Sequence, residues 1–173
     1  MSNKALIVID MLKDFIEKDG ALFCGDKSRE IIPFLRKRIE EVRNNGGTII
    51  FLQDNHKDDD LEFKMFPKHC VKGTRGAEII DELIVKENDI IISKTRYSGF
   101  YDTNLDKVLK DKKIEEVEVV GVCTSICVMD TVGDLRNRDY PVIVRKDGVA
   151  DFDEEAHLFS LKRMGKIYGA KVL

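Results

Sequence analysis

Asp10, Lys94 and Cys127 are three residues whose side chains could together carry out acyl-transfer chemistry. A thiol attacks a carbonyl only after losing its proton. A carboxylate can take that proton, and an ammonium can stabilise both anions. Cys127 lies in the segment GVCTSICV, residues 121–128, where an apolar strand gives way to a helix. The first turn of a helix offers free N–H groups and partial positive charge, which lower a thiol pKa and supply donors to an oxyanion. Taken singly, each residue has a plainer use: Cys127 as a small buried hydrophobe, Asp10 as a turn acceptor, Lys94 as a snorkelling surface lysine. A carboxylate, an ammonium and a thiol at three strand ends are a rarer coincidence.

A second set is Asp54, His56 and His69, with two of the chain's three histidines in one polar segment. Asp-x-His followed by a second His is an acceptable ligand set for a divalent metal that keeps positions open for water or substrate. The plainer reading is a solvated loop. Asp58, Asp59 and Asp60 read as a solvated acidic turn rather than ligands, and His157 as a surface or packing histidine.

The elements that must position these groups follow from the apolar pattern. Short runs at Ala5–Ile9, Thr48–Leu52, Asp89–Ser93, Val117–Val122, Val142–Val144 and Ala170–Leu173 read as strands. They lack period-2 alternation, as strands buried on both faces do. Between them, helices are expected from Ser28 as cap to Asn45, over about 78–84, 103–112, after Thr124, and over Asp153–Met164. Residues 11–27 read as loop, and 53–77 as a long polar connection of the kind that often carries function. Alternating strand and helix predict an α/β fold: a doubly wound, mainly parallel β-sheet flanked by helices, in a single domain over 1–173. In such sheets ligands bind beyond the carboxyl ends of the strands, which is where Asp10, Asp54, Lys94 and Cys123 to Cys127 fall.

Composition narrows the function. Hydrophobic residues are 43% and charged residues 35% of 173, so a packed core is expected. Twenty-nine basic against 32 acidic residues give a net charge of −3, which offers no attraction to nucleic acid. The first apolar run is short and interrupted by Asp10, unlike a signal peptide or membrane span. Four cysteines are too few for a disulfide scaffold, and a cytoplasmic protein with free thiols is expected.

The segments VIDML-x-DF, QDNH, FPKHCVKGTRGAE, SKTRYSGFYDTNL and GVCTSICV together resemble the isochorismatase-like cysteine hydrolases, and within them the nicotinamidases. The likeness runs from Asp10 to the DGVAD segment at 147–151. It implies an isochorismatase-like three-layer fold and a catalytic triad of Asp10, Lys94 and Cys127. It also implies metal ligands Asp54, His56 and His69, for which zinc is suited and manganese or iron could serve. A cis peptide bond is implied at Val122-Cys123, with the backbone N–H groups of Cys123 and Cys127 forming the oxyanion hole. Phe15, Phe66 and Tyr97 match pocket positions. Phe66 stands where many nicotinamidases have Trp, Cys123 where the family often has Ala, and the segments near 58–65 and 95–97 are shorter than usual. The implied activity is hydrolysis of a small aromatic carboxamide, nicotinamide first, through a Cys127 thioester, by a homo-oligomer.

Two other readings compete. One is a metal-independent hydrolase of an N-carbamoyl amide or a vinyl ether, which leaves Asp54, His56 and His69 as coincidence. The other is a non-catalytic redox protein with Cys123 and Cys127 as a switchable pair. A flavodoxin-like nucleotide binder is disfavoured, because MLKDFIEKDG after the first strand has no glycine-rich phosphate loop.

Overall fold

The structure is a computed structural model that describes residues 3–173. Six parallel strands form one sheet in the order β3-β2-β1-β4-β5-β6. They are β1 (Lys4–Ile9), β2 (Thr48–Asp54), β3 (Ile90–Lys94), β4 (Glu116–Val122), β5 (Val142–Ala150) and β6 (Lys171–Val172). The helices are α1 (Lys13–Ile16), α2 (Asp26–Glu30), α3 (Ile32–Asn44), α4 (Leu105–Asp111), α5 (Met129–Arg136) and α6 (Glu154–Lys166).

Both faces of the sheet are buried, so apolar residues of both parities line the central strands. Leu6, Val8, Ile49, Phe51, Val120 and Val122 pack in one core with Ile32, Leu35 and Ile39 of α3. Ala5, Ile7, Ile9, Ile50, Leu52, Val117 and Val119 pack in the other with Leu105, Leu109, Val132, Leu135 and Met164 of α4, α5 and α6. This is the three-layer α/β arrangement expected from the chain. The strand order reverses between β1 and β4, which opens a crevice beyond their carboxyl ends.

Several elements differ from expectation for identifiable reasons. The helix expected from Ser28 to Asn45 is two helices, broken at Ile31. Pro33 has no N–H to donate to the preceding turn and suits a first turn instead. Ser28 donates to the Gly25 carbonyl (2.6 Å) rather than capping. No helix forms over 78–84. There Glu78 O accepts from Lys13 N, Ile80 N donates to Met11 O, and Leu12 bridges Ile79, so long-range pairing takes the backbone groups a helix would need. Residues 11–27, expected as loop, contain α1 and the start of α2. Strand β5 runs on from Val144 to Ala150 through Arg145, Lys146 and Asp147, with Arg145 paired to Glu118 on β4. Strand β3 starts at Ile90 rather than Asp89, whose carboxylate instead binds Arg43.

Candidate active site

The carboxyl ends of β1, β2, β3 and β4 bring both sets of residues together. Asp54 and Lys94 are register partners that end β2 and β3. Asp10 follows β1 with a positive φ of 51°; its N–H donates to Leu52 O (3.0 Å), and its carboxylate accepts from Asp54 N (3.1 Å). Cys127 sits in a wide π turn, Thr124–Val128, between β4 and α5. That turn is held from outside: Asp151 accepts from Ser125 N (2.7 Å), and the His157 ring bonds the Thr124 hydroxyl (2.8 Å). His157 is thus a packing histidine. The Val122-Cys123 peptide is cis, as the resemblance implied.

Lys94 is the hub of the triad. Its Nζ lies 2.9 Å from Asp10 Oδ2 and 3.6 Å from Cys127 Sγ, donates to the Arg96 carbonyl at 3.0 Å, and also pairs with Asp54. All four side chains are buried. Burial and the Asp54 charge raise the Asp10 carboxyl to about 6, against the pull of Lys94. Burial likewise pushes the Cys127 thiol up, with Lys94 opposing. Burial works against the Lys94 charge, but Asp10 and Asp54 hold its pKa well above the ordinary value. Burial thus favours the thiol over the thiolate and raises the neighbouring carboxyl, while Lys94 bridges the two. That is a nucleophile with its base already in place.

The second set converges beside the first. Asp54, His56 and His69 offer ligand atoms within 4.8 Å of one another, and all three are buried. The His56 Nδ1 faces the Asp60 carboxylate at 3.1 Å, and the His69 Nδ1 faces the Pro67 carbonyl at 2.8 Å. Both partners are acceptors, so both Nδ1 atoms carry a proton, and in the neutral ring each Nε2 keeps its lone pair. His56 Nε2 is buried with no hydrogen-bond partner. An orphaned imidazole nitrogen beside a second imidazole and a carboxylate is what a divalent cation would satisfy. The His56 and His69 segments are pinned together by His56 N to Cys70 O and Lys72 N to His56 O, and Cys70 N donates to Asp14 of α1.

Two carboxylates here were not anticipated as part of the site. Asp60 is not in a solvated turn. Its carboxylate is 8% exposed, accepts from Glu62 N (2.9 Å) and pairs with Arg96. Burial opposes its charge, but these partners hold its pKa well below the carboxylate range. Glu62 is buried with Oε1 3.8 Å from His69 Nε2, adding a further carboxylate to the cluster. The sequence signal for both is Asp-x-Glu within reach of His56, hidden inside an acidic run. Asp58 and Asp59 are exposed, as expected.

A cavity of about 470 Å³ is lined by Asp10 and Cys127, with Lys94 buried behind them. Phe15, Phe66 and Tyr97 all line it, together with Glu62, His69 and Phe152. Phe15 stands 5.5 Å from the His69 ring, and Phe66 meets that ring edge-on at 6.4 Å. All four cysteines are free, and Cys123 Sγ meets Cys24 Sγ at 3.2 Å.

Comparison with known proteins agrees with this fold. The crystal structure of nicotinamidase PncA from Bacillus subtilis superposes with a TM-score of 0.93 at 34% identity, covering 98% of each chain. The pyrazinamidase of Pyrococcus horikoshii, solved in complex with zinc, gives 0.93 at 32% identity, covering 99% of this chain and 98% of its own. A relative from Arabidopsis thaliana, named a probable inactive nicotinamidase, is 34% identical over 95% of this chain and 89% of its own. The isochorismatase domain profile matches residues 4–173. With the sheet order, the cis bond and the Asp-Lys-Cys convergence, this establishes that the chain belongs to the isochorismatase family.

Proposed function

We propose that the protein is an amidohydrolase that converts nicotinamide, or a closely similar aromatic carboxamide, to the acid and ammonia. The observation that carries this is Lys94 buried 2.9 Å from Asp10 and 3.6 Å from Cys127, two residues that themselves line an aromatic-walled cavity. Asp10 takes the Cys127 proton, and the thiolate attacks the amide carbon. The tetrahedral oxyanion is held by the backbone N–H groups of Cys123 and Cys127; losing one such donor costs about 10²–10³ in rate. Asp10 returns its proton to the nitrogen as the C–N bond breaks, and ammonia leaves. Water, deprotonated by Asp10, then adds to the thioester. The acid departs and the thiol is restored.

Asp54, His56 and His69 would hold a divalent cation, zinc by the chemistry of the donor set, with Glu62 beside them. When bound, it supplies a Lewis-acid anchor for a ring nitrogen. Phe15, Phe66 and Tyr97 flank the ring, and Lys94 keeps Asp10 and Cys127 in register. On this reading residues 1–173 act as one hydrolase domain in the cytoplasm, returning nicotinamide to pyridine-nucleotide synthesis.

The metal-independent reading leaves His56 Nε2 orphaned and Asp54, His56 and His69 converged without purpose. Ammonia release from nicotinamide, with metal content determined on the same sample, tests the proposal. Turnover with about one metal per chain is expected, and Cys127→Ala should abolish turnover while retaining the metal. Substantial residual turnover in that variant overturns the mechanism.

A further inference from the structure

Asp60 belongs to neither the triad nor the cluster of Asp54, His56 and His69, yet it touches a part of each arrangement. Its Oδ2 accepts from His56 Nδ1 at 3.1 Å. Its Oδ1 accepts from Glu62 N at 2.9 Å, which caps the short 3₁₀ turn Leu61–Lys64 that carries Glu62. Both oxygens accept from Arg96 at 3.1 Å. Arg96 in turn offers its carbonyl to Lys94 Nζ at 3.0 Å and precedes the pocket residue Tyr97. One carboxylate therefore joins a histidine of the cluster, the turn bearing the neighbouring carboxylate, and the loop that holds the triad lysine. These partners come from three stretches of chain: 56, 60–62 and 94–97.

We propose that Asp60 is a positioning residue that fixes His56 with Nε2 toward the cluster and, through Arg96, makes the geometry of the cluster depend on the Lys94–Tyr97 loop. This rests on the reading of Asp54, His56 and His69 as a metal site. The physical reason is tautomer selection. An ionised carboxylate can only accept, so it keeps the proton on Nδ1 and the lone pair on Nε2, and it raises the basicity of the ring. An amide at the same position could turn its NH₂ toward Nδ1 and stabilise the opposite tautomer, with Nε2 protonated and useless as a ligand. Arg96 limits the rotation of the carboxylate by engaging both oxygens.

The test is Zn²⁺ affinity of the metal-free protein, measured by competition with a chromophoric chelator, for the wild type, Asp60→Asn and Arg96→Ala. Thermal melts of the same metal-free samples serve as the control for folding. Asp60→Asn should bind Zn²⁺ about 10–100-fold more weakly, the range for loss of a carboxylate behind a ligating histidine. Arg96→Ala should show a smaller weakening of the same sign and a raised KM for nicotinamide, although Arg96 contacts no member of the cluster. Its side chain is 37% exposed, so its loss leaves the core intact and keeps the test valid even if Asp60→Asn folds poorly. A merely structural role would lower the melting temperature without moving the affinity. Wild-type binding with unchanged affinity in both variants overturns this inference and leaves the metal reading standing. An affinity change confined to Asp60→Asn overturns the link to the triad loop. A wild type that binds no Zn²⁺ overturns both.

Discussion

Asp10 sets the pH behaviour of the site. Buried beside Asp54, its carboxyl is raised to about 6, and only the ionised form can accept the thiol proton. kcat/KM should therefore rise with pH through an apparent pKa near 6 and fall away below it. A pH-rate profile checks this, and Asp10→Asn should be inactive at every pH. A limb near 4 would mean that the carboxylate is unperturbed and that burial has been offset by something else. His56 makes a separable prediction. His56→Ala should weaken Zn²⁺ binding and raise KM far more than it slows reaction of the Cys127 thiol with an alkylating agent, because His56 faces the cluster and not the thiol. Retained metal affinity in that variant would remove His56 from the ligand set. At this scale the convergence of Asp10, Asp54, Lys94 and Cys127 was legible from residue type and strand-end placement, and His56 and His69 from the Asp-x-His spacing in the long polar segment; their roles came from the family resemblance. Asp60 and Glu62 were not legible. An acidic run reads as solvated until folding shows that one of its carboxylates is buried against a histidine and an arginine.

The elements hold the site because they meet closely at their carboxyl ends. Gly121, next to the last residue of β4, has a φ of +120° and lies against the backbone of Ile9, the last residue of β1. The β4–β5 register also shifts between Val119 and Gly121. A side chain at 121 would be strained by its φ and would push β1 away, moving Asp10 relative to Cys127. Gly121→Ala is expected to destabilise by about 3 kcal/mol or more, a large single-mutation effect. In a chain of this length that lowers the melting temperature by roughly 6–12 °C. Activity should fall even at temperatures where the variant is folded. A melt within about 2 °C of wild type, no more than the effect of about 1 kcal/mol, would show that the junction can relax. Elements with strong local signals were legible: the apolar strands, and the helix behind Asp153, whose side chain accepts from Ala156 N. The 78–84 segment was misread because its backbone partners lie in residues 11–13, a pairing that local pattern does not encode.

Across the whole molecule, two hydrophobic cores hold the sheet between helical layers, and the site sits where the strand order reverses. A ligand that binds the folded chain but not the unfolded one stabilises it by mass action. Zn²⁺ at about 100 times its dissociation constant should add about 2.7 kcal/mol. That corresponds to roughly 5–11 °C in melting temperature for a chain of this size. Differential scanning fluorimetry with added Zn²⁺, and with a chelator, checks this. His69→Ala should lose the shift. An equal shift in that variant would place the binding elsewhere. No helix among the described residues is long and apolar enough to cross a membrane.

The sequence by itself determined the layer architecture and the chemical vocabulary of the site. Buried parallel strands require near-continuous apolar runs, and a run's end marks where a polar side chain can face a crevice. Residue type then restricts what Asp10, Lys94 and Cys127, or Asp54, His56 and His69, can do. Only the tertiary structure decided the distances among them, the tautomers of His56 and His69, the burial of Asp60 and Glu62, and the meeting of Cys24 with Cys123. Those depend on which loops are pressed together across the sheet. The physical reason is range: a strand or helix is fixed by neighbours a few residues away, whereas a pKa or a lone pair is fixed by whatever charge folding brings within a few ångströms.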